Sequence, residues 1–193
     1  MRLNFDFLEC YPKSMAKSVC EDLIQWFEER LDLQTPGYIS KGGTDRQVDL
    51  KIKDSIDIGL DFSSGEDLYI NQQVFSVVAS GLEKYKKKYS HIDDLESWSI
   101  CAGWNLQKYM NGGGYFNLHS EHCSSYPKRM LVWMLYLNDA KCGTEFPYQG
   151  TTLKAKEGSL AIWPAAWTHP HKGVTPNKGV KYIATGWFGY NNL

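Results

Sequence analysis

The sequence predicts an α+β fold, mainly β, in which N-terminal helices buttress a sandwich or jelly roll of antiparallel strands. Apolar residues at helical spacing are confined to the first half of the chain, while β-branched and aromatic runs fill the second, separated by glycine, proline and asparagine. Seven tryptophans and twelve tyrosines fit a β-rich core with bulky fillers. At 193 residues the chain is expected to form one domain, with helical and irregular support over about residues 1–95 and the β core over about 96–193.

The first helix is expected from Ser14 to Leu31, where Met15, Val19, Leu23, Trp26, Phe27 and Leu31 recur at helical spacing. A second is expected from Leu68 to Tyr89, on Ile70, Val74, Val78, Leu82, Tyr85 and Tyr89. Between them Gln34 to Gly65 reads as irregular, broken by Pro36-Gly37, Gly42-Gly43 and Ser63-Ser64-Gly65, with one short strand near Val48–Ile52. Past Asp94, strands are expected at Ser97–Met110, Arg129–Asn138, Gly158–Trp163 and Lys181–Phe188. Many short strands in so little chain manage their edges best in a sandwich or jelly roll.

Composition narrows the function. With 42% hydrophobic and 22% charged residues the chain is not of a disordered type. A net charge of −1 gives no reason to expect nucleic acid or an anionic membrane as partner. The basic run Lys84-Tyr85-Lys86-Lys87-Lys88 lies within a helical pattern and reads as a solvated face. No apolar stretch approaches the length of a membrane span. The opening, Met1-Arg2-Leu3-Asn4-Phe5-Asp6, lacks the apolar core of a signal peptide. Cys10, Cys20, Cys101, Cys123 and Cys142 are odd in number and form no CxxC pair. That argues against a disulfide framework or structural zinc and for the cytoplasm.

The chemistry is concentrated in His119-Ser120-Glu121, answered by Thr168-His169-Pro170-His171 and then by Lys181. Two imidazoles and a carboxylate are the ligand set of a mononuclear non-haem Fe(II) site with positions left open. In extended chain, residues i and i+2 share a face, so His119 and Glu121 can grip one ion from one side. His122 falls on the opposite face. Cys123 has the right parity, but a thiolate beside an oxygen-activating iron is prone to oxidation, so it is a neighbour of the site rather than a ligand. His169 and His171 share parity, and the residues alone leave both open. Lys181 offers a fixed positive charge where an acidic co-substrate can dock. Each part has an ordinary structural alternative, a hydrogen-bonded histidine or a surface glutamate; the conjunction carries the reading. Gly112-Gly113-Gly114 lacks the spacing of a nucleotide fingerprint, and the nearby serines lack a G-x-S-x-G elbow.

From Trp104 to Phe188 the chain resembles the Fe(II)/2-oxoglutarate-dependent dioxygenases, in particular the prolyl 4-hydroxylase-like branch. The matching residues are Tyr109, then Gly112-Gly113-Gly114-Tyr115, His119-Ser120-Glu121 and Leu135-Tyr136-Leu137-Asn138. They continue as Cys142-Gly143-Thr144-Glu145-Phe146-Pro147, Ile162-Trp163-Pro164, His171 and the run from Gly179 to Trp187. Glutamate stands where many prolyl hydroxylases carry aspartate, and Cys142-Gly143 replaces Gly-Gly. The family's gap of about ten residues from histidine to the basic residue selects His171 over His169, leaving His169 at the pocket wall.

The resemblance implies a double-stranded β-helix (jelly-roll) core with N-terminal supporting helices. It implies Fe(II) on His119, Glu121 and His171, with 2-oxoglutarate and O2 as co-substrates and ascorbate as reductant. Lys181 would anchor 2-oxoglutarate with Tyr109, Tyr136 and Thr185 near it, and Trp187 would wall the pocket. The expected reaction is hydroxylation of an unactivated C–H bond, with peptidyl proline the leading substrate and a free amino acid or other small molecule the alternative. Two other classes remain in the residues themselves. A cofactor-independent cupin-type metal enzyme would have no use for Lys181, and a non-catalytic β-sandwich binding module would bind no iron. Nothing in the sequence fixes the oligomeric state.

Overall fold

In the computed structural model, which describes residues 6–40, 46–65 and 67–191, two helices pack on one face of a large antiparallel sheet. The first five residues and the Gly42-Gly43 break lie outside the described residues. Helix α1 spans Lys17–Glu29 and α2 Leu68–Lys88. The expected start of α1 at Ser14 is too early, because the Ser14 and Met15 amides both donate to the Gly158 carbonyl and hold that turn on the sheet. Its end at Leu31 is too late: Arg30 leaves helical geometry and Leu31 is exposed.

The strands are β1 (Glu9–Tyr11), β2 (Thr35–Pro36), β3 (Ile39–Ser40), β4 (Arg46–Gln47), β5 (Lys53–Asp54), β6 (Ile56–Asp61) and β7 (Trp98–Tyr109). They continue as β8 (Gly114–Tyr115), β9 (Arg129–Tyr136), β10 (Gly143–Phe146), β11 (Thr151–Lys154), β12 (Ser159–Pro164), β13 (Lys172–Val174) and β14 (Lys181–Tyr190). The main sheet runs β1-β12-β9-β14-β7-β6-β2, and a smaller sheet runs β11-β10-β13. The expected strand at Val48–Ile52 is instead a turn, in which the Ile52 and Lys53 amides donate to the Asp49 carbonyl. The irregular segment nonetheless supplies β6, a full partner of β7 from Ile56↔Lys108 to Asp61↔Gly103.

Strand β9 explains the layering. Its run Leu131 to Tyr136 is buried on both faces, as a strand between two layers must be. Leu131, Trp133 and Leu135 point to the helices, where they meet Leu23, Phe27, Val74 and Val78. Val132, Met134 and Tyr136 point the other way, to Phe146, Ala155 and Cys142 of the smaller sheet and its connections. The jelly-roll core is therefore a three-layer arrangement of helices, main sheet and small sheet. Gly81 permits close approach of α2 to β12, since a Cβ there would overlap the Leu160 side chain. No helix among the described residues is long and apolar enough to cross a membrane.

Candidate active site

Between the two sheets lies a cavity of about 760 Å³, walled on one side by β6, β7 and β14 and on the other by Thr144 and Gly173. His119 and His171 enter it from opposite sides of a single antiparallel bridge: the His119 amide donates to the His171 carbonyl at 3.0 Å and the reverse bond is 2.9 Å. The parity argument for His119 and Glu121 holds although this segment forms a bridge rather than a strand. Glu121 is fixed two residues on by its amide, which donates to the Ala165 carbonyl.

The donor set has a distinctive polarity. His119 Nδ1 lies 3.0 Å from the Asn117 carbonyl and His171 Nδ1 lies 3.1 Å from the His169 carbonyl. A carbonyl only accepts, so in the neutral rings both Nδ1 atoms carry the hydrogen and both Nε2 atoms a lone pair. Those Nε2 atoms face Glu121 Oε1 at 3.5 and 3.7 Å. Three acceptors converging on one point fit a cation between them, and the ligand atoms all lie within 4.8 Å of one another. Two ligands at right angles about a metal, each about 2.1 Å away, are about 3 Å apart, so little adjustment is needed. Rings brace both imidazoles: Tyr115 stacks on His119 at 3.7 Å, and Phe146 and Trp163 lie 5.3 and 5.1 Å from His171.

The second carboxylate oxygen is held separately. Glu121 Oε2 accepts from Arg129 Nη1 at 2.9 Å and from Trp187 Nε1 at 3.0 Å, which leaves Oε1 alone facing the histidines. The Arg129 guanidinium carbon lies over the Trp187 ring, 3.4 Å from its centroid, and over the Tyr126 ring, at 3.8 Å. Burial works against the Glu121 charge, but Nε2–H bonds from His119 and His171 when those rings are protonated in the metal-free site, the charge that His119 then carries and the charge of Arg129 outweigh it. The carboxyl is held well below its usual range. Burial pushes the His171 imidazole down, which favours the neutral, ligating form.

Lys181 begins β14, directly opposite Tyr109 on β7. It is 2% exposed, and its ammonium sits 4.5 Å over the Tyr109 ring with no carboxylate or other hydrogen-bond acceptor among the described residues. Burial lowers its pKa. A buried cation without a partner is costly unless an anion joins it, and the cavity is where an anion can enter.

Three side chains that could hold a metal ion and a buried cation in one cavity suit a bidentate oxoacid with a distal carboxylate. Residues 104–189 match the family model of the 2OG-Fe(II) oxygenase superfamily. His119, Glu121 and His171 could bind the iron that such a family uses. The fold is similar to that of the viral collagen prolyl hydroxylase of Paramecium bursaria Chlorella virus-1, solved with 2OG (TM-score 0.66, 18% identity, 95% of this chain and 96% of that one). It is also similar to a Pseudomonas putida prolyl-4-hydroxylase (TM-score 0.69, 14% identity, 98% and 96%). A third similar structure is a Trichoplax adhaerens prolyl hydroxylase in complex with a hypoxia inducible factor peptide fragment (TM-score 0.69, 12% identity, 97% and 85%). No curated protein matches the chain in sequence.

The remaining expected site residues fall in different places. Thr185 and Trp187 line the cavity, and Tyr109 does so with its ring on Lys181. Thr185 gives its hydroxyl hydrogen to the Trp133 carbonyl at 2.9 Å. The Tyr136 hydroxyl bonds Thr144 Oγ1 at 2.7 Å, and it is Thr144 that reaches the cavity. His169 does not form the expected wall: its Nε2 lies 2.6 Å from the Asp6 carbonyl and its Nδ1 2.9 Å from Thr168 Oγ1, so the ring fastens the N-terminal segment. It serves the site through its carbonyl, which holds His171. His122 turns to the Arg129 carbonyl, while Cys123 lines the cavity. Arg129 escaped the sequence reading because an arginine ahead of an apolar run looks like an ordinary strand end. Its spacing of eight from Glu121 has no local periodicity to mark it.

Proposed function

We propose that the chain is a 2OG-Fe(II) oxygenase that hydroxylates a prolyl residue within a peptide, with His119, Glu121 and His171 holding Fe(II) and Lys181 receiving the distal carboxylate of 2-oxoglutarate. The observation that carries the site assignment is Lys181: a buried ammonium without an acceptor among the described residues, in the same cavity as three converging atoms that could hold a metal ion. Bound iron would supply the oxidising power, coupling decarboxylation of 2-oxoglutarate to succinate and CO2 with oxygen insertion into a C–H bond.

The chain's own residues bind and orient. The main-chain acceptors on both Nδ1 atoms fix the imidazole planes, and Arg129 with Trp187 presents one Glu121 oxygen only, which keeps other positions on the ion free. The Lys181 charge selects a diacid over a monoacid. A cavity of about 760 Å³ exceeds what a five-carbon diacid fills, leaving room beside Trp187, Arg129 and Tyr126 for a ring and its flanking peptide. The likeness in fold to prolyl hydroxylases supports the same substrate class.

Succinate release with Fe(II), 2-oxoglutarate and ascorbate, across proline peptides, free proline and other amino acids, tests this. Turnover stimulated by proline peptides, with hydroxyproline in the product, is expected. Stimulation by a free amino acid alone would move the substrate assignment, and the absence of any 2-oxoglutarate turnover would overturn the reaction assignment.

A further inference from the structure

Next to the anchor lies a buried polar cluster that the proposed chemistry does not use. Gln107 and Tyr109 stand two apart on β7 and share its cavity face. Strand β6 sets Asp57 opposite Gln107, and β14 sets Lys181 opposite Tyr109. Lys53, Asp57, Gln107, Tyr109 and Lys181 all line the cavity, and none is more than 6% exposed. Asp57 accepts from Lys53 Nζ, from Ser55 Oγ at 2.7 Å and from Gln107 Nε2 at 3.0 Å.

These bonds have a direction. A carboxylate only accepts, so Asp57 must draw the amide NH2 of Gln107, which turns the amide oxygen toward Tyr109. Gln107 Oε1 then accepts from the Tyr109 hydroxyl at 2.9 Å. The phenolic hydrogen is directed into the cluster, and what Tyr109 presents to Lys181 is its ring face, 4.5 Å from the ammonium.

We infer that Asp57 and Gln107 are positioning residues for the co-substrate anchor, committing the Tyr109 hydroxyl to the β6 side so that Tyr109 supports Lys181 through its ring and not by donating to 2-oxoglutarate. The inference rests on the reading of Lys181 as the 2-oxoglutarate anchor. It also gives the buried Lys53–Asp57 pair a task, since Lys53 balances the carboxylate that orients the amide.

The test is a calorimetric titration of 2-oxoglutarate into the Mn(II)-loaded protein without oxygen. Tyr109→Leu, which removes the ring, weakens binding by about ten-fold or more, whereas Tyr109→Phe, which removes only the hydroxyl, weakens it by no more than about three-fold. Gln107→Leu weakens binding in the wild-type background but adds nothing in the Tyr109→Phe background, because the bond through which Gln107 reaches Tyr109 is already gone and its other bond, to Asp57, does not touch the anchor. A glutamine with a merely structural role would lower Tm and leave Kd unmoved. Separately, in the metal-free protein the Lys181 Hε resonances carry the ring-current shift of Tyr109, kept in Tyr109→Phe and lost in Tyr109→Leu. That readout needs no co-substrate, so a wild-type protein that fails to bind 2-oxoglutarate refutes the anchor assignment while the ring contact is still judged. Equal damage from Tyr109→Phe and Tyr109→Leu, or a Gln107→Leu effect on Kd that persists in Tyr109→Phe, overturns the inference.

Discussion

Glu121 divides its oxygens between two tasks, one facing the histidines and one held by Arg129 and Trp187. Losing a group that orients a ligand typically costs about 10–100-fold in metal affinity, so Arg129→Met is expected to weaken Mn(II) binding by that factor, read from the signal of free Mn(II) in a titration. An unchanged affinity would reduce the guanidinium to a filler between two rings. Acid stability of the metal-free protein separates two groups. The folded pKa of His171 is lowered, so the unfolded chain takes the proton first and stability falls as pH drops below about 6.5. The folded pKa of Glu121 is also lowered, but for a carboxyl the stabilisation is present above its unfolded value of about 4.3 and is lost as pH falls through the folded one. His171→Gln should flatten the upper limb of the denaturant midpoint against pH, and Glu121→Gln the lower. The three metal-site candidates and Lys181 could be singled out because their residue types follow from the chemistry, and the fold brings all four to one cavity. His169 and His171 were separable only by distance to Lys181, and the bond from His169 to the Asp6 carbonyl, 163 residues away in sequence, has no local signature.

Strands and helices with clean periodicity were legible: α2 matches its expected range to one residue, and β7, β9, β12 and β14 lie where β-branched and aromatic runs placed them. Strand β6 was hidden because Ile-Asp-Ile-Gly-Leu-Asp buries an aspartate, and a buried Asp57 is tolerable only through Lys53, Ser55 and Gln107, partners that one-dimensional patterning does not reveal. Very short strands such as β8 and β13 carry too few residues for a period. Close approach of elements does leave a mark, as glycine. A Cβ on Gly143 of β10 would overlap the Leu153 carbonyl of β11, which accounts for the glycine in the Cys142-Gly143-Thr144 turn. Gly143→Ala is therefore expected to destabilise by about 1–3 kcal/mol, the usual range for overpacking, measured by thermal unfolding. A wild-type Tm would mean the small sheet yields at that point.

Across the whole molecule, the two sheets, with the helices backing the larger one, enclose a cavity that keeps one ammonium buried and without a hydrogen-bond acceptor among the described residues. Such a charge destabilises the fold without its anion, and replacing it with an apolar side chain of similar length should raise stability. Lys181→Met is expected to gain roughly 0.5–2 kcal/mol in the metal-free protein, seen in the denaturant midpoint, at the expense of function. The same variant tests the central claim most directly. In the Mn(II)-loaded, oxygen-free protein, 2-oxoglutarate should bind Lys181→Met about thirty-fold or more weaker than wild type, from the roughly 2–5 kcal/mol that truncating one partner of a buried charge pair costs, while Mn(II) affinity stays the same. An equal 2-oxoglutarate dissociation constant in the two proteins would contradict the account, because Lys181 would then hold no carboxylate.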